Sequence, residues 1–538
     1  MTTITTIQFL VGLLVVVSVV AFAANRLKVP HAILLVLIGV VLALVPGLPT
    51  VRLEPEFVLL IVLPPLIYSS AVAMSWREFK FNLRPIALLA VGCVTFTALA
   101  VAAATHWLLG FPWAVGFVLG AIVSPPDAVA PLSVARRMQL PRRLLVILEG
   151  EGLANDATAL ILYRFAVAAV GLGMFSFSKA AETFAVILVS EIVWGLAVGW
   201  LMLRLRRWVR DPRIEITLSI LTPFLAYWPP EYLGGSGVLA TVTAGLYISW
   251  NGLRLISAAT RLQGVFFWDL FIYLIEGMVF LVTGLQARAL TAGIHGYSKH
   301  ELIVSALTVC AVVIVSRFVW MYPGTYLPRW LIPSLARRDP SPPWQFPFVL
   351  AFTGIRGIVS LAAALAIPLT MADGAAFPYR DLTLFLTFSV VLVTLVGQGL
   401  LLPAVIRALG LANTGLREHD VDRMEEYSAR RQAVQAAMAR LEELAVERQL
   451  SPEVVEPLRA RHAERLARVQ LRGEGDETQH KLLDIYDSVD FVLIEAERQK
   501  INELYRQGDL KDEQRRRIER ELDLREAHLV NVRGGDKE

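Results

Sequence analysis

The stretch Glu149-Gly-Glu151-Gly-Leu-Ala-Asn155-Asp156-Ala-Thr-Ala-Leu160 carries three carboxylates and one amide inside an otherwise apolar helical run. A charged side chain at the centre of a bilayer costs at least about 2.5 kcal/mol, so an ionisable residue in a membrane span marks a functional site by default. The alternative is a buried charge that a structural partner neutralises. This alternative applies more readily to Glu149, which follows an arginine-rich loop, than to Asp156.

The composition is that of a polytopic membrane protein. Of the 538 residues, 55% are hydrophobic and only 18% are charged, and the mean hydropathy is +0.56, whereas an average soluble domain is about 25% charged. Both cysteines, Cys93 and Cys310, lie in apolar runs and offer neither a disulfide framework nor metal-binding spacing. The net charge of +4 is small and does not indicate a nucleic-acid partner.

Apolar stretches long enough to cross a bilayer, about 17 to 25 residues, recur along the first 410 residues. About thirteen are predicted, at residues 6–24, 30–46, 56–74, 84–108, 113–135, 144–170, 180–203, 214–228, 236–250, 265–285, 301–322, 346–369 and 382–409. The first run lacks a basic leader and a clear cleavage site, so we interpret it as a retained span.

Lysine and arginine are distributed unevenly over alternate loops. One set of loops is basic and holds Arg26, Lys28, Arg77, Lys80, Arg84, Arg136, Arg137, Arg142, Arg143, Arg204, Arg206, Arg207, Arg210, Arg213, Arg254, Arg261, Arg329, Arg337 and Arg338. The other set holds only Arg52, Lys179, Arg288, Lys299 and Arg380. Because basic loops stay in the cytoplasm, we predict an inner-membrane protein with its amino terminus outside and its carboxy terminus in the cytoplasm.

From residue 411 the chain becomes rich in Glu, Arg, Ala and Leu. Helical spacing recurs at residues 429–450, 452–471 and 486–524, and residues 473–477 are interpreted as an exposed break. We therefore predict a transmembrane domain at residues 1–410 and a soluble cytoplasmic helical tail at 411–538. Its charge runs indicate solvated helix faces, with regulation or dimer contacts as the alternative.

Two spans are predicted to be interrupted. The fifth contains Ser124-Pro-Pro-Asp127, where consecutive prolines remove backbone donors and break the helix. Non-helical backbone at membrane depth is tolerated only inside protein or along a wet cavity, so the break predicts a binding site; a simple proline kink would leave Asp127 unexplained. The twelfth contains Gly354-Ile-Arg356-Gly357. Paired interruptions in two halves indicate an inverted-repeat transporter, here with the seventh span between the halves.

Helical spacing assigns the acidic residues of the sixth run. Asp156 and Gly152 share a face, where the glycine leaves room for backbone or an ion, whereas Glu151 points partly away. We therefore assign Asp156 to the ion. A mid-span arginine needs a carboxylate, so Glu151 is predicted to form a structural ion pair with Arg356. Glu276, in the middle of the tenth run, has either a cavity-lining or a structural role. The scattered histidines are interpreted as structural or exposed.

Taken together, these motifs resemble the sodium/proton exchanger family, in particular prokaryotic NhaP-like members of its electroneutral branch. The resemblance covers nearly all spans in order. It is carried by the Glu-Gly-Glu-Gly-Leu-Ala-Asn-Asp stretch, by the Ser-Pro-Pro-Asp and Gly-Ile-Arg-Gly segments, and by Leu63-Pro-Pro-Leu66 and Leu233-Gly-Gly-Ser-Gly-Val-Leu-Ala240. It implies an all-α antiporter fold without cofactors, surrounded by lipid, and a homodimer.

The resemblance also implies residue roles. Asp156 matches the aspartate that binds Na⁺ and the proton, Asn155 its neighbouring asparagine and Asp127 the acidic residue of the broken helix, while Glu151 and Arg356 match a buried ion pair. Three side chains depart from the family pattern. Pro126 replaces a threonine, Ser69 a glutamate and Gly152 a serine. Because these positions are potential ligands, the departures bear on which cation is bound.

A shared carboxylate explains antiport. Na⁺ prefers oxygen ligands, available from Asp156, from backbone carbonyls freed around Ser124 to Asp127 and from water. If Asp156 must hold either Na⁺ (or Li⁺) or H⁺ for the carrier to reorient, exchange is one for one and electroneutral, because Asn155 cannot carry a second proton. The alternatives are exchange of K⁺ or several alkali cations, and, in another class, a cation channel or a transporter-like sensor. The sequence has no nucleophile and base set that would indicate an enzyme.

Overall fold

A computed structural model describes residues 3–46, 54–172, 177–209, 211–252, 255–294, 296–371, 374–474 and 477–534. In these ranges the chain is helical apart from loops and one isolated β-bridge between Thr370 and Ala376. The all-α prediction is therefore confirmed. Arg52, Arg210, Arg254 and part of the predicted break at 473–477 lie outside the described residues.

Every predicted apolar run coincides with one helix or with a pair of helices. These are α1 (Thr3–Leu27), α2 (His31–Ala43), α3 (Pro55–Ala73), α4 (Leu83–Leu109), α5 (Trp113–Val123), α6 (Val129–Arg137), α7 (Arg142–Leu172), α8 (Phe177–Arg206), α9 (Pro212–Tyr232), α10 (Val238–Asn251), α11 (Ala258–Leu285), α12 (Lys299–Leu331), α13 (Gln345–Phe352), α14 (Ile358–Leu365) and α15 (Arg380–Ala408). Among the described residues, eight helices are long and apolar enough to cross a membrane, and α2 and α5 are apolar but shorter.

The two predicted interruptions are present. The fifth run is divided into α5 and α6, and the twelfth into α13 and α14. The unwound segments, residues 124–128 and 353–357, cross each other, and the backbone amide of Asp127 donates to the carbonyl of Ile355 at 2.6 Å. Each break frees backbone groups from the helix, and pairing across the crossing satisfies two of them.

Helix packing surrounds this crossing with apolar side chains. α5 packs against both α4 and α7, and α14 packs against α15. Within the described part of the chain, three of the longer helices also contain a π-helical stretch, at Val58–Val62 in α3, Leu88–Cys93 in α4 and Val393–Gln398 in α15. Such stretches leave carbonyls available to side chains. The indole of Trp228 donates to Leu60 O at 2.9 Å, and that of Trp320 donates to Leu88 O at 3.1 Å.

The chain divides into two units, Met1–Leu416 and Arg417–Glu538. The carboxy-terminal helices are α16 (Leu411–Glu447), α17 (Pro452–Glu474), α18 (Glu477–Gln507) and α19 (Asp512–Gly534). The helix predicted at 486–524 is therefore two helices, because Gly508 adopts a left-handed conformation with φ of 85° after α18. Ile494, Leu522 and Leu529 form a small apolar cluster between α18 and α19.

Candidate ion-binding site

Asp156 and Asn155 are neighbours on α7 with different surroundings. Asn155 is fully buried, and its amide nitrogen donates to the backbone carbonyl of Pro126 at 2.6 Å. Asp156 is 9% exposed and lines a cavity. Within the described part of the chain, the Asp156 carboxylate forms no ion pair with a basic side chain. The arrangement therefore does not favour a charge neutralised by a structural partner.

Asp127 lies at the crossing of the two unwound segments. Its Oδ1 accepts a hydrogen bond of 2.9 Å from the amide of Val129, the first residue of α6, where a carboxylate also meets the positive end of the helix dipole. Its Oδ2 faces Gly357, where a Cβ atom would come within 1.6 Å of that oxygen. A glycine at 357 is therefore required for the Asp127 carboxylate to remain where it is.

Ser124, a predicted ion-binding residue, is buried at the end of α5. Its hydroxyl donates to Ala121 O at 3.1 Å, within the same helix. Its side chain is not among the groups that line the cavity. The structure therefore brings Asp127 and Asp156 to the same cavity but does not bring the Ser124 hydroxyl there.

The predicted ion pair between Glu151 and Arg356 is wrong. Glu151 pairs with Arg317 of α12 through two hydrogen bonds, from Nη1 to Oε1 at 2.5 Å and from Nη2 to Oε2 at 2.7 Å. The side chains of both residues are only 2% exposed. This geometry is the parallel, bidentate form in which an arginine binds a carboxylate most strongly.

Arg356 is satisfied by backbone carbonyls instead. Its Nε donates to Val123 O at 2.9 Å, its Nη1 donates to Gly354 O, and its Nη2 lies 3.5 Å from Ser124 O. The carbonyls of Val123 and Ser124 belong to the end of α5, where they lack helical partners and carry the negative end of the helix dipole. The expectation that this arginine needs a carboxylate neglected these carbonyls.

A cavity of about 870 Å³ connects the predicted site residues. It is lined by Asp127, Asp156, Glu276, Gly152 and Ser69. The lining continues to Arg136, Arg206 and Arg261, which all lie at or beside loops of the basic set. The cavity therefore extends from the crossing toward the side of the membrane that the loop charges predict to be cytoplasmic.

The remaining predicted residues have distinct surroundings in this cavity. The Ser69 hydroxyl donates to Leu66 O at 3.1 Å, within its own helix. Gly152 packs against the unwound segment, since a Cβ atom there would lie 2.6 Å from the Cβ atom of Ala128. Glu276 lies 3.9 Å from Nε2 of His31. His31, interpreted from the sequence as structural or exposed, thus lines the cavity beside a carboxylate.

Two further polar residues, Arg317 and Thr394, contact the predicted site residues. Arg317 was identifiable, since it is the lone arginine of the eleventh apolar run, as Arg356 is of the twelfth. Thr394 gave no such signal; its hydroxyl accepts from the amide of Arg356 at 3.0 Å because the π-helical stretch of α15 lies beside the crossing. Only the packing of distant helices reveals that contact.

Glu191 of α8 was also missed, although it is a buried acid in an apolar run. It accepts hydrogen bonds from the backbone amides of Ser236 at 2.6 Å, Gly237 at 3.2 Å and Leu239 at 3.1 Å. These amides are at the start of α10, where a helix leaves donors without partners. The Leu-Gly-Gly-Ser-Gly segment is therefore held by a carboxylate from a neighbouring helix.

The arrangement offers oxygen ligands to a hard cation and carboxylates that can accept a proton. Two carboxylates and several carbonyls surround the crossing, and these are the oxygen ligands that alkali and alkaline-earth cations prefer. Among the described residues, no group of three or more His, Cys, Asp and Glu is arranged to hold a metal ion.

Comparison with known proteins shows the family. The family model described as the transmembrane sodium/hydrogen exchanger matches residues 12–408. An uncharacterized Na⁺/H⁺ exchanger of Mycobacterium tuberculosis is 35% identical over 533 residues, which cover 97% of this chain and 96% of the relative. A sodium, potassium, lithium and rubidium/H⁺ antiporter of Bacillus pumilus is 31% identical over 387 residues, or 70% of this chain and 57% of the relative.

The fold has a counterpart among solved structures. The sodium proton antiporter MjNhaP1 of Methanocaldococcus jannaschii matches with a TM-score of 0.61 and 19% identity, over 76% of this chain and 99% of that protein. The structural match shows the fold, and the match to the family model and the identity to the mycobacterial relative show the family. This multi-span membrane protein belongs to the sodium/hydrogen exchanger family.

Proposed function

We propose that this protein exchanges Na⁺ or Li⁺ for H⁺ across the inner membrane, one for one and without net charge movement. One observation carries the proposal. The Asp156 carboxylate lines the same cavity as Asp127 of the unwound segment and, among the described residues, has no basic partner. A carboxylate in that position is available to a cation and a proton in turn, and competition between them is sufficient for antiport.

The coordination shell would consist mainly of carboxylates and water. The carbonyl of Pro126 already accepts from Asn155, and those of Val123 and Ser124 face Arg356. Each of these carbonyls would have only its second lone pair to offer. Asp127 would then contribute the oxygen that does not cap α6, and Asp156 would contribute the exchangeable charge. Ser124 would support the shell through its backbone rather than its hydroxyl.

The one-for-one ratio follows from the number of groups free to titrate at the crossing. Asn155 cannot ionise, and Glu151 is committed to Arg317 through two hydrogen bonds. One Asp127 oxygen accepts the amide hydrogen bond that caps α6, so its other oxygen is the one available to a cation. In this proposal Asp156 is the group that exchanges its proton, so one proton is released for each cation bound.

Transport requires access from both sides in turn, and with the orientation predicted from the loop charges the cavity would give access from the cytoplasm. The cavity runs toward the basic loops, whereas toward the other end of α7 the side chain of Arg164 forms an ion pair with Glu231 of α9. A rigid movement of the broken helices and α7 against the remaining helices would separate this pair and open the outer side, as in other carriers with inverted repeats.

A second candidate is a broader alkali-cation/H⁺ antiporter that includes K⁺. The cavity is wide, at about 870 Å³, and Pro126 and Gly152 supply no side-chain oxygen. A flexible coordination shell with many water ligands discriminates less between cations of different size than a rigid shell does. The Bacillus pumilus relative is named for sodium, potassium, lithium and rubidium, and its name favours this reading.

Exchange in proteoliposomes tests the proposal. Vesicles with an imposed pH gradient are diluted into Na⁺, Li⁺ or K⁺, and internal pH and membrane potential are followed together. We expect Na⁺ and Li⁺ to dissipate the gradient without changing the potential and Asp156→Asn to abolish the response. Asp381→Asn, which neutralises a surface aspartate with a 61% exposed side chain, serves as the matched control. A wild-type response from Asp156→Asn, or a potential that depends on cation exchange, would refute the proposal.

A further inference from the structure

Three arginines converge on one carboxylate away from the ion-binding site. Arg84, Arg143 and Arg329 each place a guanidinium nitrogen 2.8 Å from an oxygen of Asp339. Three positive charges meet one negative charge, so this group, which we call the arginine cluster, carries a net charge of +2. Such an excess repels itself unless an anion or water compensates for it.

Neighbouring acidic groups do not supply the missing charge. Glu78 is held by Arg142 through two hydrogen bonds of 2.9 Å. Asn82, which is neutral, accepts from Nε of Arg143 at 3.3 Å. Within the described residues, Nη1 of Arg84 is buried and has no hydrogen-bond partner. The arginine cluster thus retains an unsatisfied donor as well as excess charge.

The position of the cluster relates it to the membrane surface. Arg84 is in the first turn of α4, Arg143 is in the first turn of α7 and Arg329 is in the last turn of α12. All three ends belong to the basic loop set, which is predicted to be cytoplasmic. The helices fix the arginines at the boundary between bilayer and water, where their charges are less screened than on an open surface.

An apolar wall lies directly beside these charges. A cavity of about 50 Å³ is lined by the three arginines and by Leu88 and Trp320, together with further apolar side chains of α4, α7, α12 and α13. Deeper along the same helices, Val91 is 40% exposed and Val319 is 53% exposed, as expected of surfaces that face lipid chains. The site therefore combines a basic head with an apolar flank.

We propose that the arginine cluster binds the phosphate group of an anionic phospholipid, whose acyl chain lies along the flank formed by α4 and α12. Guanidinium groups bind phosphate oxygens in pairs, and basic pockets between membrane helices on the cytoplasmic side suit anionic head groups. A free phosphate would use the same arginines but would gain nothing from the apolar wall. The lipid therefore fits both halves of the site.

Thermal unfolding of the purified full-length protein in detergent tests this site. The added probes are phosphatidylglycerol, phosphatidylcholine and inorganic phosphate. A ligand that binds only the folded state raises the unfolding midpoint, so we expect phosphatidylglycerol to raise it by several degrees and the other two to raise it little. The double change Arg84→Gln and Arg143→Gln should remove more than half of the phosphatidylglycerol shift. Arg77→Gln with Lys80→Gln, which removes two charges from the same predicted side, should retain it.

A further variant separates lipid binding from a purely structural cluster. Asp339→Asn removes the competing carboxylate and increases the net charge of the cluster, so the shift with phosphatidylglycerol should increase although the lipid-free protein unfolds earlier. A structural cluster would lower the midpoint without enlarging the shift, and that outcome would overturn the proposal. Equal shifts with phosphatidylcholine or inorganic phosphate, or an undiminished shift in the arginine double variant, would also overturn it.

Discussion

The side-chain amide of Asn155 donates to the backbone carbonyl of Pro126 at 2.6 Å. This contact joins α7, which carries the exchangeable carboxylate, to the break between α5 and α6. Pro125 and Pro126 cause the break because they have no amide hydrogens, and the break in turn leaves carbonyls without helical partners. The Asn155 side chain donates to one of these carbonyls, and Asn155 directly precedes Asp156. The hydrogen bond therefore fixes the position of the broken helix relative to the ion-binding residue.

Removing this amide tests its role. Asn155→Ala leaves the buried Pro126 carbonyl without its side-chain donor, which costs about 1 to 3 kcal/mol. We expect a lower free energy of unfolding in mixed micelles and slower exchange in proteoliposomes. Asn251→Ala is the matched control, because the Asn251 amide donates at 2.9 Å to an exposed carbonyl of its own helix. A loss no larger than that of the control would contradict the assignment.

Gly357 provides a second test of the crossing. A Cβ atom at this position would lie 1.6 Å from Oδ2 of Asp127, so Gly357→Ala must displace the carboxylate or the unwound backbone. We expect exchange to be at least tenfold slower, because the displaced carboxylate belongs to the site. A tenfold change in rate corresponds to about 1.4 kcal/mol of activation free energy. The exchange rate of the variant reconstituted in proteoliposomes provides the measurement. Gly397→Ala has no neighbour within 4 Å of the added atom and should exchange normally; an equal loss there would argue for a general helix effect.

Much of the fold followed from patterns that are local in sequence. The length of the apolar runs indicated where the spans begin and end. Pro125-Pro126 indicated the first break, because proline lacks the backbone amide hydrogen that a helix needs. The second break was indicated by glycines around Arg356. A helix boundary inside 486–524 was missed, since the turn at Gly508 is a single residue in a continuous charge pattern.

Partners across the bundle could not be predicted in the same way. Arg317 and Arg356 both lie in apolar runs, and helical spacing shows which face of a helix carries a side chain but not which distant helix packs against it. The choice of Arg356 for Glu151 assumed that only a carboxylate can satisfy a buried guanidinium. The carbonyls at the end of α5 satisfy Arg356, and they exist only because that helix is broken.

A double-mutant cycle distinguishes the two arginines. Glu151→Gln and Arg317→Gln should each lower the free energy of unfolding by about 3 to 5 kcal/mol, because each leaves one buried charge unpaired. The double variant should lose less than the sum of the two, since the interaction can be removed only once. Unfolding in mixed micelles provides the measurement.

A second double-mutant cycle pairs Glu151 with Arg356 instead of Arg317 and serves as the comparison. Glu151→Gln combined with Arg356→Gln should show a smaller coupling energy, because Arg356 donates to carbonyls and not to Glu151. A larger coupling with Arg356 than with Arg317 would restore the pairing that the sequence suggested. Equal coupling would mean that all three groups act as one network.

Access to the cavity can be measured with single cysteines. Both native cysteines, Cys93 and Cys310, are buried, so the wild-type background should react slowly with a membrane-impermeant maleimide. Ser69 and Ser133 line the cavity, and we expect Ser69→Cys and Ser133→Cys to react in inside-out vesicles and to be protected in right-side-out vesicles. Ser316→Cys is the control, because Ser316 is 5% exposed and hydrogen bonds to Thr97.

Preferential labelling from the outside would reverse the predicted orientation of the cavity, whereas equal labelling from both sides would show that the protein populates both accessible states in the membrane. A saturating Na⁺ concentration should slow the labelling of Ser69→Cys in inside-out vesicles if the cation occupies the cavity beside Asp156.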